Sequence, residues 1–166
     1  MPTSVLTPRQ VEVPIPLKYP HPQQHRFLSS PAKRKVIRAG RRGGKTTGLA
    51  ILAVQQFLAG QRILYAVPTQ EQVTRFWHEV TLALAAPIGL GLFHKNETLH
   101  TIERPGTEQR LRAKTAWSPD TLRGDYAALL ILDDYQLMAE DAWEVVGAPM
   151  LLDTNGWSWG IRTPKG

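Results

Sequence analysis

Residues 35–50 read KVIRAGRRGGKTTGLA, and the architecture can be worked out from this stretch. Lys35 to Ala39 has the length and apolar centre of a strand. Gly40 to Gly44 is a loop of glycine and arginine. From Lys45 to Ala59, Leu49, Leu52, Ala53, Gln56 and Phe57 recur at helical spacing, and Gly60 supplies a stop. A strand that runs through a glycine-rich turn into a helix makes a phosphate cradle. Glycines let consecutive N–H groups curl inward, and the helix start adds unpaired N–H groups and the positive end of its dipole.

The pattern G-x-x-x-x-G-K-[ST] falls on residues 39–46, with Ala39 in place of the first glycine. The expected binding set is Ala39, Gly40, Arg41, Arg42, Gly43, Gly44, Lys45, Thr46 and Thr47, and the ligand is a nucleoside triphosphate, read as ATP. Lys45 reaches the β- and γ-phosphates, and the Thr46 hydroxyl is placed to ligate Mg²⁺. Arg41 or Arg42 can add positive charge at the γ-phosphate.

A phosphate loop of this kind needs a second strand that delivers a carboxylate to the metal. AALLIL (127–132) is a continuous apolar run, as expected of a strand buried on both faces of a parallel sheet, and Asp133-Asp134 follows it. Asp133 is the metal candidate. Asp134 stands where a carboxylate would orient or deprotonate water, and glutamate is the usual choice there. Aspartate is one methylene shorter, which sets its carboxylate about 1.5 Å back. A misplacement of about 1 Å can cost on the order of 100-fold in rate. The aspartate leaves three readings open: a reshaped site, a slow base, or binding with little hydrolysis.

Around this pair the chain alternates strand and helix. RILYAV (62–67) reads as a strand closed by Pro68. Thr69 with Gln72 resembles a capping box opening a helix to about Ala86, which Pro87 and Gly89 end. Two strands, Thr98 to Glu103 and Glu108 to Thr115, join through Pro105-Gly106. Asp141 to Val146 reads as a short helix and Trp157 to Arg162 as a last strand. The fold class is α/β: a P-loop NTPase of three layers, α/β/α, with a mainly parallel central sheet (RecA/ASCE-like). The prolines at 2, 8, 14, 16, 20 and 22 mark residues 1–22 as an extended N-terminal arm, leaving 23–166 as the P-loop domain.

With 42% apolar and 20% charged residues the composition is that of a globular chain, and with no cysteine it excludes disulfides, thiolate metal sites and cysteine nucleophiles. No apolar run is long enough to span a bilayer and the N-terminus is not a secretory signal, so a soluble protein of the cytoplasm, without a membrane partner, is expected. The net charge of +6 favours a polyanionic partner such as nucleic acid. Arg110, Arg112 and Lys114 alternate on one predicted strand and share a face, open either to phosphate or to plain solvent. Lys33-Arg34-Lys35 forms a second basic patch. Trp157 and Trp159 share one side of the last strand, read as core rather than as a base-stacking surface. The five histidines show no metal-ligand spacing.

AGRRGGKTTG (39–48), SPDTLRGDYAALLILDDYQLM (118–138), RTPKG (162–166) and the upstream HPQQHRFL (21–28) together resemble the N-terminal ATPase part of a phage terminase large subunit, the motor that packages viral DNA. The resemblance spans about residues 21 to 166. It implies an adenine contact from Gln24, with Gln23 as the alternative, and phosphate sensing by Arg41 or Arg42. It implies that Leu122-Arg123-Gly124 faces a neighbouring subunit, which makes Arg123 a candidate arginine finger; the alternative is an anchor within its own chain. Thr163, in the Thr163-Pro164-Lys165-Gly166 coupling motif, would sense the γ-phosphate. The implied partners are double-stranded DNA, a portal protein, a small terminase subunit and further copies of the chain in a ring. Asp134 departs from the family's glutamate, and the chain ends at the coupling motif, so no nuclease activity is expected. The competing readings are a weakly hydrolysing or non-hydrolysing terminase fragment or prophage remnant, and another P-loop nucleic-acid motor such as a helicase.

Overall fold

The structure, a computed structural model, describes residues 12–40, 44–116, 125–137, 151 and 156–162, with Arg162 described by its backbone alone. The elements are α1 (Pro22–Leu28), β1 (Arg34–Arg38), α2 (Lys45–Leu58), β2 (Arg62–Val67), α3 (Gln70–Ala83), α4 (Ala85–Gly89), β3 (His94–Asn96), β4 (Thr101–Glu103), β5 (Arg110–Thr115), β6 (Leu129–Asp133) and β7 (Trp157–Arg162). They form one seven-stranded sheet in the order β1-β7-β6-β2-β5-β4-β3. The first five strands in that order pair in parallel, and β4 and β3 continue the sheet antiparallel.

The central strand β2 shows why the apolar runs sit where they do. Tyr65 stands opposite Ile131 on one side and Ala113 on the other. Side chains alternate across a strand, so Ile63, Tyr65 and Val67 face α2 and α3 while Leu64 and Ala66 face the other layer. Both sets are buried. On the first face Tyr65 stacks flat on Phe76 at 3.7 Å, and Phe57 meets Phe93 edge-on at 4.8 Å. On the second face Leu64, Ala66, Leu130 and Leu132 cluster with Leu151 and Tyr135.

The helices start and stop for identifiable reasons. His21 and Gln24 form a reciprocal cap on α1, with Pro22 as its first residue. The α2 C-terminus is closed by Gln109, whose amide donates to the Phe57 carbonyl at 2.6 Å. The predicted long helix to Ala86 instead ends at Ala83, and Pro87 lies inside the short α4. Proline is tolerated there because first-turn N–H groups have no intrahelical acceptor. The polar strand β3 is an addition to the predicted elements, and it carries no alternating apolar signal. The predicted helix at Asp141 to Val146 lies outside the described residues. From residue 12 to His21 the chain has no regular structure. Ile15 and Leu17 pack on the main core, and Lys18 pairs with Glu79 at 2.8 Å.

Candidate nucleotide-binding site

Because β1 and β6 run in parallel, their carboxyl ends open on the same edge of the sheet, where α/β folds bind ligands. β7 lies between the two strands. At the end of β1 come Ala39 and Gly40. Gly44 then precedes α2 with φ +67°, and Lys45 and Thr46 occupy the first turn of the helix. A side chain at Gly44 would meet the Gln24 Nε2 at 2.7 Å, so both the left-handed backbone and the available space demand glycine.

From the end of β6, Asp134 turns back with φ +49°, a left-handed conformation that aspartate adopts more readily than most residues. Its Oδ1 stands 3.4 Å from the Lys45 Nζ, and its Oδ2 accepts a hydrogen bond from the Gln72 amide at 2.6 Å. Asp133 is 3% exposed. Its Oδ2 accepts from the Tyr65 hydroxyl at 2.8 Å, while its Oδ1 is buried with no hydrogen-bond partner among the described residues. Burial pushes the Asp133 carboxyl above the usual carboxylate range; the Tyr65 bond opposes this and the charge of Asp134 adds to it. A buried carboxylate oxygen without a partner is costly in isolation and suits a cation. The Asp133 Oδ1 therefore suits a hard cation such as Mg²⁺, which takes one or two protein oxygens and completes its shell with phosphate and water; Thr46, the second expected ligand, lies in the first turn of α2. Among the described residues, no three of His, Cys, Asp or Glu gather into a metal cluster.

Gln24 is buried and bonded at both ends of its amide: Oε1 accepts from the His21 N–H, and Nε2 donates to the Gly44 carbonyl at 2.7 Å. It pins the phosphate loop, so an adenine contact would require one of these bonds to be exchanged. Gln23 is exposed and lines an open groove of about 730 Å³ with His21, Arg26, Ala39, Gly40 and Lys45. Thr47 turns to a separate cleft beside Pro16 and Leu17. Arg41, Arg42, Gly43, Arg123 and Thr163 lie outside the described residues.

Two polar neighbours of the acidic pair escaped the sequence reading. Tyr65 was hidden in an apolar strand, its only signal a hydroxyl in the run RILYAV. Gln72 carries only the signal of a helix cap in the sequence. The basic residues also differ from expectation. Arg110, Arg112 and Lys114 all converge on Asp125, at 3.2, 2.9 and 2.7 Å. Lys35 leaves its patch altogether: it is buried, donates to the Phe27 and Ser30 carbonyls, and sits 3.9 Å above the Trp159 ring. Burial lowers its pKa. Trp159 is core, as expected, but Trp157 is 39% exposed at the rim of the same face.

A strand leading through Gly40 and Gly44 into a helix, with Lys45 facing Asp134 at the end of a parallel strand, is the arrangement of a P-loop α/β fold. No protein-family profile matches the chain. Two curated relatives do, the terminase large subunits of Thermus virus P23-45 and Thermus phage G20c. They are 28% and 29% identical over 89% of this chain. The chain spans 34% of the length of each relative. Among solved structures, the Thermus phage P74-26 large terminase ATPase domain superposes with a TM-score of 0.75 at 25% identity, covering 89% of this chain and 66% of that one. The large terminase of a thermophilic bacteriophage, solved in complex with ATP-gamma-S, shares the fold with a TM-score of 0.63 at 18% identity, over 87% of this chain and 38% of that one. The family that this chain resembles in both sequence and fold is therefore the phage terminase large subunits, and the resemblance falls on their ATPase domain. No helix among the described residues is long and apolar enough to cross a membrane.

Proposed function

We propose that this chain is the ATP-binding and hydrolysing motor part of a DNA-packaging terminase large subunit. The observation that carries the reading is the meeting of Lys45 and Asp134 at 3.4 Å across 89 residues of sequence, beside the buried carboxylate of Asp133. In this reading the Gly44 turn and the first turn of α2 present N–H groups to the phosphates, and Lys45 neutralises the β- and γ-oxygens. Asp133, braced by Tyr65, and Thr46 would hold Mg²⁺, which would supply positive charge against the phosphates when bound. Asp134 orients the attacking water and accepts its proton. Arg41 or Arg42, and Arg123 from a neighbouring copy, add positive charge at the γ-phosphate, and Thr163 reports its loss. Duplex DNA, a portal protein, a small terminase subunit and a ring of copies belong to the same proposal, supported by the names of the relatives and by the net charge of +6.

The test is Mg²⁺-dependent ATP hydrolysis by the purified chain alongside Lys45→Ala. Turnover that disappears in the variant and rises with duplex DNA supports the motor. A second reading, nucleotide binding without turnover, is favoured by the short Asp134 side chain held between two donors. ATP binding that is lost in Lys45→Ala, with no hydrolysis by the parent chain, would decide for it.

A further inference from the structure

Gln72 sits in the first turn of α3, and its side chain is directed from both ends. Its backbone N–H donates to the Thr69 Oγ1 at 3.3 Å, as a helix cap requires. The amide then departs from a capping box, in which it would reach back to the Thr69 backbone N–H. Instead Oε1 accepts from the Thr69 hydroxyl at 2.9 Å; a hydroxyl can serve either end of an amide, so it is the acceptor-only carboxylate of Asp134 that fixes Nε2 on its side. Nε2 is thereby aimed at the Asp134 Oδ2, 2.6 Å away. Lys45 stands at the other oxygen of the same carboxylate. Asp134 itself leaves the strand in a left-handed conformation, so its backbone already departs from ordinary strand geometry.

We propose that Gln72, oriented by Thr69, is a positioning residue that sets where the short Asp134 carboxylate points. A glutamate at 134 would reach further into the site. With aspartate, one oxygen is held by a donor on a rigid helix start, and the other meets Lys45 until phosphate takes the ammonium. Gln72 then keeps the carboxylate in place when Lys45 turns to the nucleotide. The Thr69-x-x-Gln72 cap thus serves the chemistry as well as the helix. The inference rests on the reading of Asp134 as the hydrolytic carboxylate.

The experiment is steady-state ATP hydrolysis and ATP-gamma-S binding for the parent chain, Lys45→Ala, Gln72→Ala and Gln72→Glu. Gln72→Ala is expected to lower kcat by on the order of 100-fold, the loss that follows a displacement of about 1 Å, with KM and analogue affinity unchanged. In Gln72→Glu two carboxylates face each other at neutral pH. The repulsion displaces the Asp134 carboxylate, so Gln72→Glu is expected to lose at least as much turnover as Gln72→Ala. An unchanged kcat in Gln72→Ala, or a loss confined to affinity, would overturn the inference. A thermal double-mutant cycle reads the contact without turnover: Gln72→Ala lowers Tm by about 2–6 °C, and the loss is smaller in an Asp134→Ala background, where only the Thr69 bond remains to be lost. Additive losses would also overturn it. A parent chain that binds no ATP-gamma-S removes the nucleotide reading and leaves the thermal cycle to decide the contact. One that binds without turnover removes the catalytic part of the inference together with the hydrolysis reading.

Discussion

Gly48→Ala tests how α1 is locked to the phosphate loop. Gly48 lies in the first turns of α2, is buried, and has ordinary helical neighbours on both sides. In an isolated helix alanine would stabilise this position by roughly 1 kcal/mol. Here the added Cβ would lie 2.6 Å from the Phe27 Cζ and 3.2 Å from the Gln24 Cγ. The Phe27 ring cannot swing away freely, because it packs against the main core and meets Trp159 edge-on at 5.7 Å. Overpacking of this kind costs about 1–3 kcal/mol. Set against the helix gain, the expected net loss is about 1 kcal/mol, or a Tm lower by about 2–4 °C for a domain of this size. Relief comes by moving α1 outward, which loosens the Gln24 bond to the Gly44 carbonyl, so ATP-gamma-S affinity should fall as well. Thermal unfolding followed by circular dichroism, with a binding titration, measures both effects. A variant stabilised by the full helix-propensity gain, with unchanged affinity, would refute the argument that close packing of α1 on α2 holds the loop.

Two further outcomes follow from the buried carboxylates. Burial works to raise the Asp125 pKa, but the Lys114 bond and the charges of Lys114, Arg112 and Arg110 outweigh it and hold the carboxyl below its usual value. Asp125→Asn should therefore cost about 2–3 kcal/mol at pH 7, below the fully buried case because its cations are partly exposed. A depressed carboxylate contributes stability above its unfolded pKa and loses it as pH falls through the folded value, so the gap between variant and parent should close in acid below the ordinary aspartate range. A gap independent of pH in urea unfolding would count against the ion cluster. Tyr65→Phe removes the donor to the Asp133 Oδ2 and should destabilise the metal-free protein by about 2 kcal/mol, as expected for a hydrogen bond to a charged group; equal denaturation midpoints would show that the bond contributes nothing.

Local chemistry was enough to place the phosphate loop, the acidic strand and the parallel core. Gly44-Lys45-Thr46 between an apolar strand and an amphipathic helix, and an unbroken apolar run ending in Asp133-Asp134, each carry their meaning within a few residues, because backbone curl and two-faced burial are short-range demands. How the side chains pair was settled only by the folded arrangement. Arg110, Arg112 and Lys114 alternate in the same way whether they face solvent, phosphate or one another's counter-ion, and only the approach of Asp125 distinguishes these cases. Lys35 was indistinguishable from its basic neighbours until α1 and β7 closed over it. Tyr65 and Gln72 sit on β2 and α3, 62 to 68 residues from the carboxylates they hold, and nothing in their own segments names that target. A capping pattern specifies the first turn of a helix, but the direction in which the spare end of its amide points is set by whatever the fold brings alongside.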